Sequence, residues 1–149
     1  LEIVAEILGV KIEDLAELSL QAKEKVNISN ICTAFAGQEV MSFLTEGIAR
    51  EKIAAGLLSS LAKRITNMVN RIGVAKEVVI TGGGAKNKAL VKELENHLDT
   101  PVQIPPEPLV SGALGAAVIG RERALKALAA GNLTRKERQL EEARFFNEK

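Results

Sequence analysis

The longest regular pattern of apolar residues runs from Arg50 to Ile72, where apolar side chains recur at steps of three and four. That spacing is typical of one face of an α-helix. Lys63, Arg64 and Arg71 lie off this face. We therefore predict one long helix over Arg50–Ile72, ended by Gly73, with its apolar face in the core. That face comprises Ile53, Leu57, Leu61, Ile65, Met68 and Ile72, widened by Leu58 and Val69.

Shorter amphipathic stretches predict two helices in the first third of the chain. Leu1–Leu8 is amphipathic from its first residue and is followed by Gly9, a residue that often ends a helix. A second helix is predicted at about Glu13–Lys23, with Leu15, Leu18 and Ala22 on its apolar face. The stretch Val26–Ile31 is polar and broken, which predicts a loop or a very short strand.

Two further helices contain features that bear on function. One begins at Phe35 or Gln38, with Cys32 just before its first turn. The other begins at Glu107 or Pro108 and carries small residues at every fourth position, namely Gly112, Ala116 and Gly120. A nearly smooth helix face either packs tightly against another helix or lets a ligand approach its backbone.

The stretch from Glu77 to Asn87 organises the rest of the chain. The β-branched residues Val78, Val79 and Ile80 predict a short buried strand over Glu77–Thr81. Three glycines follow it, and Asn87 is suited to cap the next helix, which is predicted over Asn87–Leu98. A second strand is predicted at Val102–Ile104, between prolines.

A strand, a glycine turn and a helix N-terminus together bring backbone N–H groups towards a phosphate or a nucleotide. The glycines are Gly82, Gly83 and Gly84, and they could equally form a tight turn with no ligand. No Gly-Lys-Ser/Thr follows, so this is not a Walker loop. Asn87 stands where the dinucleotide-binding fingerprint would need a glycine.

The composition excludes several classes of function. Apolar residues make up 46% of the 149 residues and the net charge is +1, which argues against a nucleic-acid or membrane-surface protein. The four aromatic residues are all Phe, so base stacking is not expected. One cysteine excludes an internal disulfide and fits a reducing compartment, so we expect a cytoplasmic location. We predict one domain over residues 1–130 and a charged tail over residues 131–149.

Three stretches, in this order and spacing, resemble one protein family. They read Cys-Thr-Ala-Phe-Ala-Gly-Gln-Glu-Val from Cys32, Val-Val-Ile-Thr-Gly-Gly-Gly-Ala-Lys-Asn from Val78, and Pro-Glu-Pro-Leu-Val-Ser-Gly-Ala-Leu-Gly-Ala-Ala from Pro106. Over residues 1 to about 125 the chain resembles the ATP-hydrolysing activators of 2-hydroxyacyl-CoA dehydratases and the ATP-binding subunits of benzoyl-CoA reductase. The resemblance implies an α/β fold of the ribonuclease H-like, actin-type ATPase class, here as an incomplete and helix-rich lobe.

The resemblance also implies cofactors and partners. Members of this family are homodimers that bind ATP or ADP with Mg²⁺ and share one [4Fe-4S] cluster between two subunits. They receive an electron from a donor such as ferredoxin or flavodoxin and pass it, with ATP hydrolysis, to a CoA-ester dehydratase or reductase.

Site residues follow from the matched motifs. Cys32 would be a cluster ligand, and Gly82, Gly83, Gly84, Ala85 and Asn87 would line the nucleotide cleft. The small residues from Gly112 to Ala117 would pack beneath that cleft. Taken alone, Cys32 would be read as an inert buried cysteine.

The chain lacks parts that the resemblance implies. The family's second cluster cysteine and its magnesium-positioning Asp would precede Leu1, so we expect this chain to be the C-terminal half of the fold. By itself it is expected to bind ATP weakly and to hydrolyse it poorly.

Two alternatives share the glycine loop. One is a small-molecule kinase of the same superfamily, and the other is a nucleotide-binding regulatory or dimerisation domain without turnover. Neither needs Cys32 as a ligand.

Other polar residues have simpler interpretations. His97 is expected at a surface or helix end, and Glu39 and Glu46 are expected to be ordinary helix-surface carboxylates. Lys86 and Lys88 flank the glycine loop, where each would either contact phosphate or be solvated.

Overall fold

The computed structural model describes residues 1–29, 33–75 and 77–132. The chain divides into one compact unit over Leu1–Ser111 and a second unit that begins at Gly112. The elements in chain order are α1 (Glu2–Ile7), α2 (Leu15–Leu20), α3 (Thr33–Thr45), α4 (Arg50–Asn70), β1 (Val78–Val79), a 3-10 turn (Gly83–Lys86), α5 (Lys88–Leu98), β2 (Val102–Gln103) and α6 (Ser111–Ala129).

Helix α4 is the centre of the first unit, and α2 and α5 both pack against it. Its apolar face is buried as the periodicity predicts, and Ile53, Ala54 and Leu58 are fully inaccessible. The prediction was wrong at the C-terminal end, because Met68 and Ile72 are 51% and 90% exposed and α4 ends at Asn70. An amphipathic period fixes which side chains share a face but cannot show how far that face is covered.

The other predicted helices are present with different bounds. α1 agrees with Leu1–Leu8, and Gly9 follows it with φ +68°. α2 is shorter than Glu13–Lys23, and α3 begins at Thr33, before the predicted Phe35 or Gln38. Cys32 and the tail beyond Asn132 lie outside the described residues.

The two predicted strands form a small parallel sheet. β1 pairs with β2 in the register Val78 to Val102 and Val79 to Gln103, and α5 forms the connection between them. Each strand is shorter than its predicted range, Glu77–Thr81 and Val102–Ile104. A strand–helix–strand unit places the loop after β1 at the carboxyl end of the sheet, where ligands of α/β proteins bind.

Helix α5 begins as the sequence predicts. The Asn87 side-chain oxygen accepts a hydrogen bond from the Leu90 N–H at 2.9 Å, which is the expected N-cap bond. Ala89, Leu90, Val91 and Leu94 are buried. The helix ends at Leu98, and the next residue, Asp99, has a left-handed conformation with φ +50°.

The start of the last helix differs from the prediction. α6 begins at Ser111 and not at Glu107 or Pro108. The Pro108 carbonyl accepts a hydrogen bond from the Gly82 N–H at 2.8 Å, so it is directed to the glycine loop and not along a helix. Within the described part of the second unit, α6 has no buried residue, and Gly131 with φ +66° follows its end.

The segment Glu24–Ser29, which we call the strap, lies across α4. The Val26 N–H donates to the Lys52 carbonyl at 3.3 Å, and Lys52 forms an ion pair with Glu24 at 2.8 Å. A Cβ on Gly56 would lie 2.3 Å from the Val26 carbonyl oxygen, so only glycine permits this approach.

Lys25 and Ser29 extend these contacts to two other helices. The Lys25 ammonium contacts Ser59 Oγ at 3.1 Å and Glu93 Oε2 at 2.8 Å. The Ser29 N–H donates to Glu39 Oε2 at 2.6 Å. The strap therefore joins α3, α4 and α5. None of the helices in the described part of the chain has the length and apolarity that a bilayer crossing requires.

We predict that Gly56→Ala destabilises the first unit by about 3 kcal/mol, because the new methyl group would overlap the strap backbone. Gly37→Ala is the matched control, since a Cβ there meets nothing within 4 Å. Ala is a better helix former than Gly, so the control should be neutral or slightly stabilising. Urea unfolding followed by circular dichroism compares the two, and equal midpoints would contradict the contact.

The Glu93 carboxylate should make stability depend on pH. Burial alone would raise the pKa of Glu93, but hydrogen bonds from Lys25 and Ser59, together with the nearby Lys25 and His97 charges, outweigh it and hold the pKa below its usual value. Such a group stabilises the fold above its unfolded pKa of 4.5, and the contribution is lost as pH falls through the lower folded value.

We therefore predict that Glu93→Gln costs up to about 1 kcal/mol at neutral pH, since the pair is partly exposed, and progressively less as pH falls below 4.5. Unfolding free energies at several pH values test this. Lys25→Met in the Glu93→Gln background should add little at neutral pH, and fully additive losses would show that the pair does not interact.

Candidate nucleotide-binding site

The glycine loop has a defined shape. Gly82 has φ +78° and ψ −170°, a combination that side-chain-bearing residues essentially never adopt. The chain then forms the 3-10 turn, in which the Ala85 N–H donates to the Gly82 carbonyl at 3.2 Å. The Asn87 N–H donates to the Gly84 carbonyl at 3.1 Å and leads directly into α5. The loop thus joins the end of β1 to the N-terminus of a helix.

The middle of the loop can be approached closely. A Cβ on Gly83 would meet nothing within 4 Å, and a Cβ on Gly84 would meet only Leu90 at 3.6 Å. The first N–H groups of a helical turn have no acceptor inside the turn. The N–H groups of Gly83 and Gly84 therefore suit a negatively charged group.

A cavity of about 690 Å³ opens beside this loop, which is within the range of small-molecule sites. Gly83, Gly84, Lys86 and Asn87 form one wall. The remaining lining residues are Leu1, Glu2, Ile3, Ile12, Glu13 and Leu109.

The cavity lining has an apolar part and a charged part. Leu1, Ile3, Ile12 and Leu109 supply an apolar surface of the kind that holds a flat ring, whereas Lys86 supplies a positive charge beside the glycines. Glu2 and Glu13 are the two carboxylates of the lining. An apolar part, a cation and free N–H groups together suit a nucleotide.

The site residues predicted from the sequence differ in whether they line the cavity. Gly83, Gly84 and Asn87 line the cavity, while Gly82 and Ala85 belong to the same loop but are not among its lining residues. Ala85 is buried, and the Asn87 side chain is committed to capping α5. Lys86 lines the cavity and Lys88 does not. The assignment of these residues to a nucleotide remains a prediction.

The opposite wall was not predicted from the sequence. Three separate stretches of the chain form this wall: its first three residues, the pair Ile12 and Glu13, and Leu109. No local motif marks them, because their proximity to the glycine loop is created by the tertiary fold alone.

The other candidate residues lie elsewhere. Glu39 accepts the Ser29 N–H, and Glu46 accepts a hydrogen bond from Ser42 Oγ at 3.0 Å. His97 is exposed in the last turn of α5. Cys32 lies outside the described residues, and among residues 1–29, 33–75 and 77–132 no group of three or more His, Cys, Asp or Glu side chains could hold a metal ion.

Comparisons with known proteins identify relatives of the whole first unit. Residues 1–120 match the model of the BadF/BadG/BcrA/BcrD ATPase family. The chain is 41% identical over 126 residues to the (R)-2-hydroxyglutaryl-CoA dehydratase activating ATPase of Acidaminococcus fermentans, covering 85% of this chain and 48% of that protein. It is 39% identical over 124 residues to the 2-hydroxyisocaproyl-CoA dehydratase activator of Clostridioides difficile, covering 83% of this chain and 47% of that protein.

A solved structure agrees with these sequence matches. The activator of the 2-hydroxyisocaproyl-CoA dehydratase from Clostridium difficile, with bound ADPNP, superposes with a TM-score of 0.80 at 36% identity. The superposition covers 87% of this chain and 48% of that one. The chain therefore spans about half the length of the relatives it matches. The predicted resemblance and the predicted fold class, an incomplete helix-rich lobe of the actin-type ATPases, are confirmed.

We predict that Gly83→Val weakens ATP binding at least tenfold, because the side chain would project into the open space beside the loop and cover its N–H groups. Gly83 does not have a positive φ, so the fold should be retained. Isothermal titration calorimetry with Gly37→Ala as the control tests this. Unchanged affinity in Gly83→Val would exclude this wall of the cavity as the nucleotide site.

Proposed function

The chain belongs to the BadF/BadG/BcrA/BcrD ATPase family, and on that premise we propose that it forms part of an ATP-dependent activator of a 2-hydroxyacyl-CoA dehydratase. The observation that carries the proposal is the glycine-loop cavity, which occurs in a chain about 40% identical to two dehydratase activators over most of its length. The alternative of a small-molecule kinase is less well supported, since both of these relatives are named as activators.

The proposed ligand of the cavity is ATP or ADP with Mg²⁺. The Gly83 and Gly84 N–H groups would bind phosphate oxygens, and Lys86 would add a charge-assisted contact. The apolar residues Leu1 and Ile12 would contact the adenine ring. In this proposal Gly82, Ala85 and Asn87 act through the loop, because they fix its shape and cap α5.

Hydrolysis is proposed for the activator as a whole. A relative named as an activating ATPase supports it. Phosphoryl transfer depends on several positive charges placed around the phosphates, and the described lining of the cavity contains one, on Lys86. We therefore propose that these 149 residues alone bind nucleotide weakly and hydrolyse it poorly.

Electron transfer is the second part of the proposal. Cys32 would be one ligand of a [4Fe-4S] cluster shared between the two subunits of a homodimer. A cubane cluster takes four thiolates, so each subunit would supply two. Such a cluster supplies a low-potential electron, and a donor such as ferredoxin or flavodoxin would reduce it. The electron acceptor would be the CoA-ester dehydratase or a reductase of related chemistry.

A thiolate beside the start of a helix fits this role. A helix N-terminus carries a partial positive charge, which favours the thiolate form that iron requires. Cys32 directly precedes α3, which begins at Thr33. A reducing compartment would keep this single cysteine reduced, and we propose that the protein is cytoplasmic.

We predict that the longest form of the protein that its source encodes, purified without oxygen, contains about four irons per dimer and that Cys32→Ser loses them. Iron and acid-labile sulfide determination measures this. ATP binding, measured in parallel, should be the same in both proteins, because the glycine loop lies on other elements.

Iron-free protein that still binds ATP would contradict the electron-transfer function and favour the regulatory alternative. Iron content that survives Cys32→Ser would leave the cluster in place but remove Cys32 from its ligands.

A further inference from the structure

A second groove lies between the strap, α4 and the end of α5. Its volume is about 570 Å³, and it shares no lining residue with the nucleotide cavity. The described lining contains no Asp or Glu. It consists of Lys25, Val26, Asn27, Ile28, Ser29, Gly56, Ser59, Ser60, Lys63 and His97.

The spacing of residues on α4 creates one wall of this groove. Gly56, Ser59, Ser60 and Lys63 follow steps of three and four, which places them on the same face of the helix. Gly56 lets the strap come close to this face. Two hydroxyl groups and an ammonium group therefore line the groove along the strap.

The electrostatics at the Lys63 side of the groove favour an anion. Lys25 is already paired with the Glu93 carboxylate, which also accepts a hydrogen bond from Ser59 and interacts electrostatically with His97, although Glu93 itself is not part of the groove lining. Lys63 has no ion pair with any described residue, so its charge is not compensated locally. The His97 ring also lines the groove, from the last turn of α5.

Hydrogen-bond donors remain available as well. Among the described residues, the side chains of Asn27 and Ser60 have no hydrogen-bond partner, and both line the groove. An amide, a hydroxyl and an ammonium group are all hydrogen-bond donors of the kind that bind a tetrahedral oxyanion.

We propose that this groove binds a phosphate group, held by Lys63, Ser60 and Asn27. The site is distinct from the nucleotide cavity, because Asn87 and His97 are ten residues apart on α5, or about 15 Å along a helix. The phosphate could be free or carried by a small organic monoester, and the groove is large enough for either.

The single histidine of the chain makes a specific test possible. Addition of inorganic phosphate should shift the His97 ring proton resonances in NMR spectra in a saturable manner at constant pH and ionic strength. Lys63→Met should weaken this binding about tenfold, because it removes a charge-assisted contact. Ser60→Ala should weaken it by a smaller factor.

Lys86→Met is the matched control, since Lys86 lines the other cavity. It should leave the phosphate-dependent His97 shift unchanged. A parallel titration with glucose 6-phosphate shows whether the natural ligand is free phosphate or a phosphate monoester. Tighter binding of glucose 6-phosphate than of inorganic phosphate would indicate a monoester. Equal or weaker binding would indicate free phosphate.

No saturable shift of His97 with either probe would overturn the proposal. An unchanged affinity in Lys63→Met, or loss of the shift in Lys86→Met, would overturn it too, since the phosphate would then bind elsewhere. The result does not depend on nucleotide binding or iron content, so it is separate from the activator proposal.

Discussion

The burial of one face of α4 against α2 and α5 is the interaction on which the described structure depends. Ile53 and Leu58 are fully inaccessible, as is Leu15 on α2. Complete burial of each such side chain contributes about 1.5–3 kcal/mol. This packing also positions α5, and α5 carries the glycine loop at its N-terminus and His97 near its C-terminus. The two candidate ligand sites therefore depend on the same core.

The features that could be predicted from the sequence are those encoded by neighbouring residues. Three such features are present in the structure: the repeat of apolar residues along α4, the two strands, and the Asn87 cap of α5. Each depends only on residues that are close in sequence. The start of α6 was predicted incorrectly, because a tertiary hydrogen bond redirects the Pro108 carbonyl. The exposure of Ile72 depends on which surfaces cover α4, and no local pattern contains that information.

The same distinction applies to the candidate site. The glycine run could be found from the sequence because its residue types are unusual and adjacent. The apolar wall at Leu1, Ile12 and Leu109 could not, because three distant stretches meet there only in the folded chain. The strap is a similar case, since the role of Gly56 becomes visible only when Val26 is placed against it.

The bond between the Gly82 N–H and the Pro108 carbonyl has a consequence for the rate of ligand binding. It ties the glycine loop to the segment after β2, and the 3-10 turn and the Asn87 cap fix the other end. A loop held at both ends has little conformational freedom left to lose on binding. A nucleotide would therefore meet a surface that is already formed. Its association rate would rise in proportion to its concentration, without the plateau that a slow rearrangement of the loop would impose.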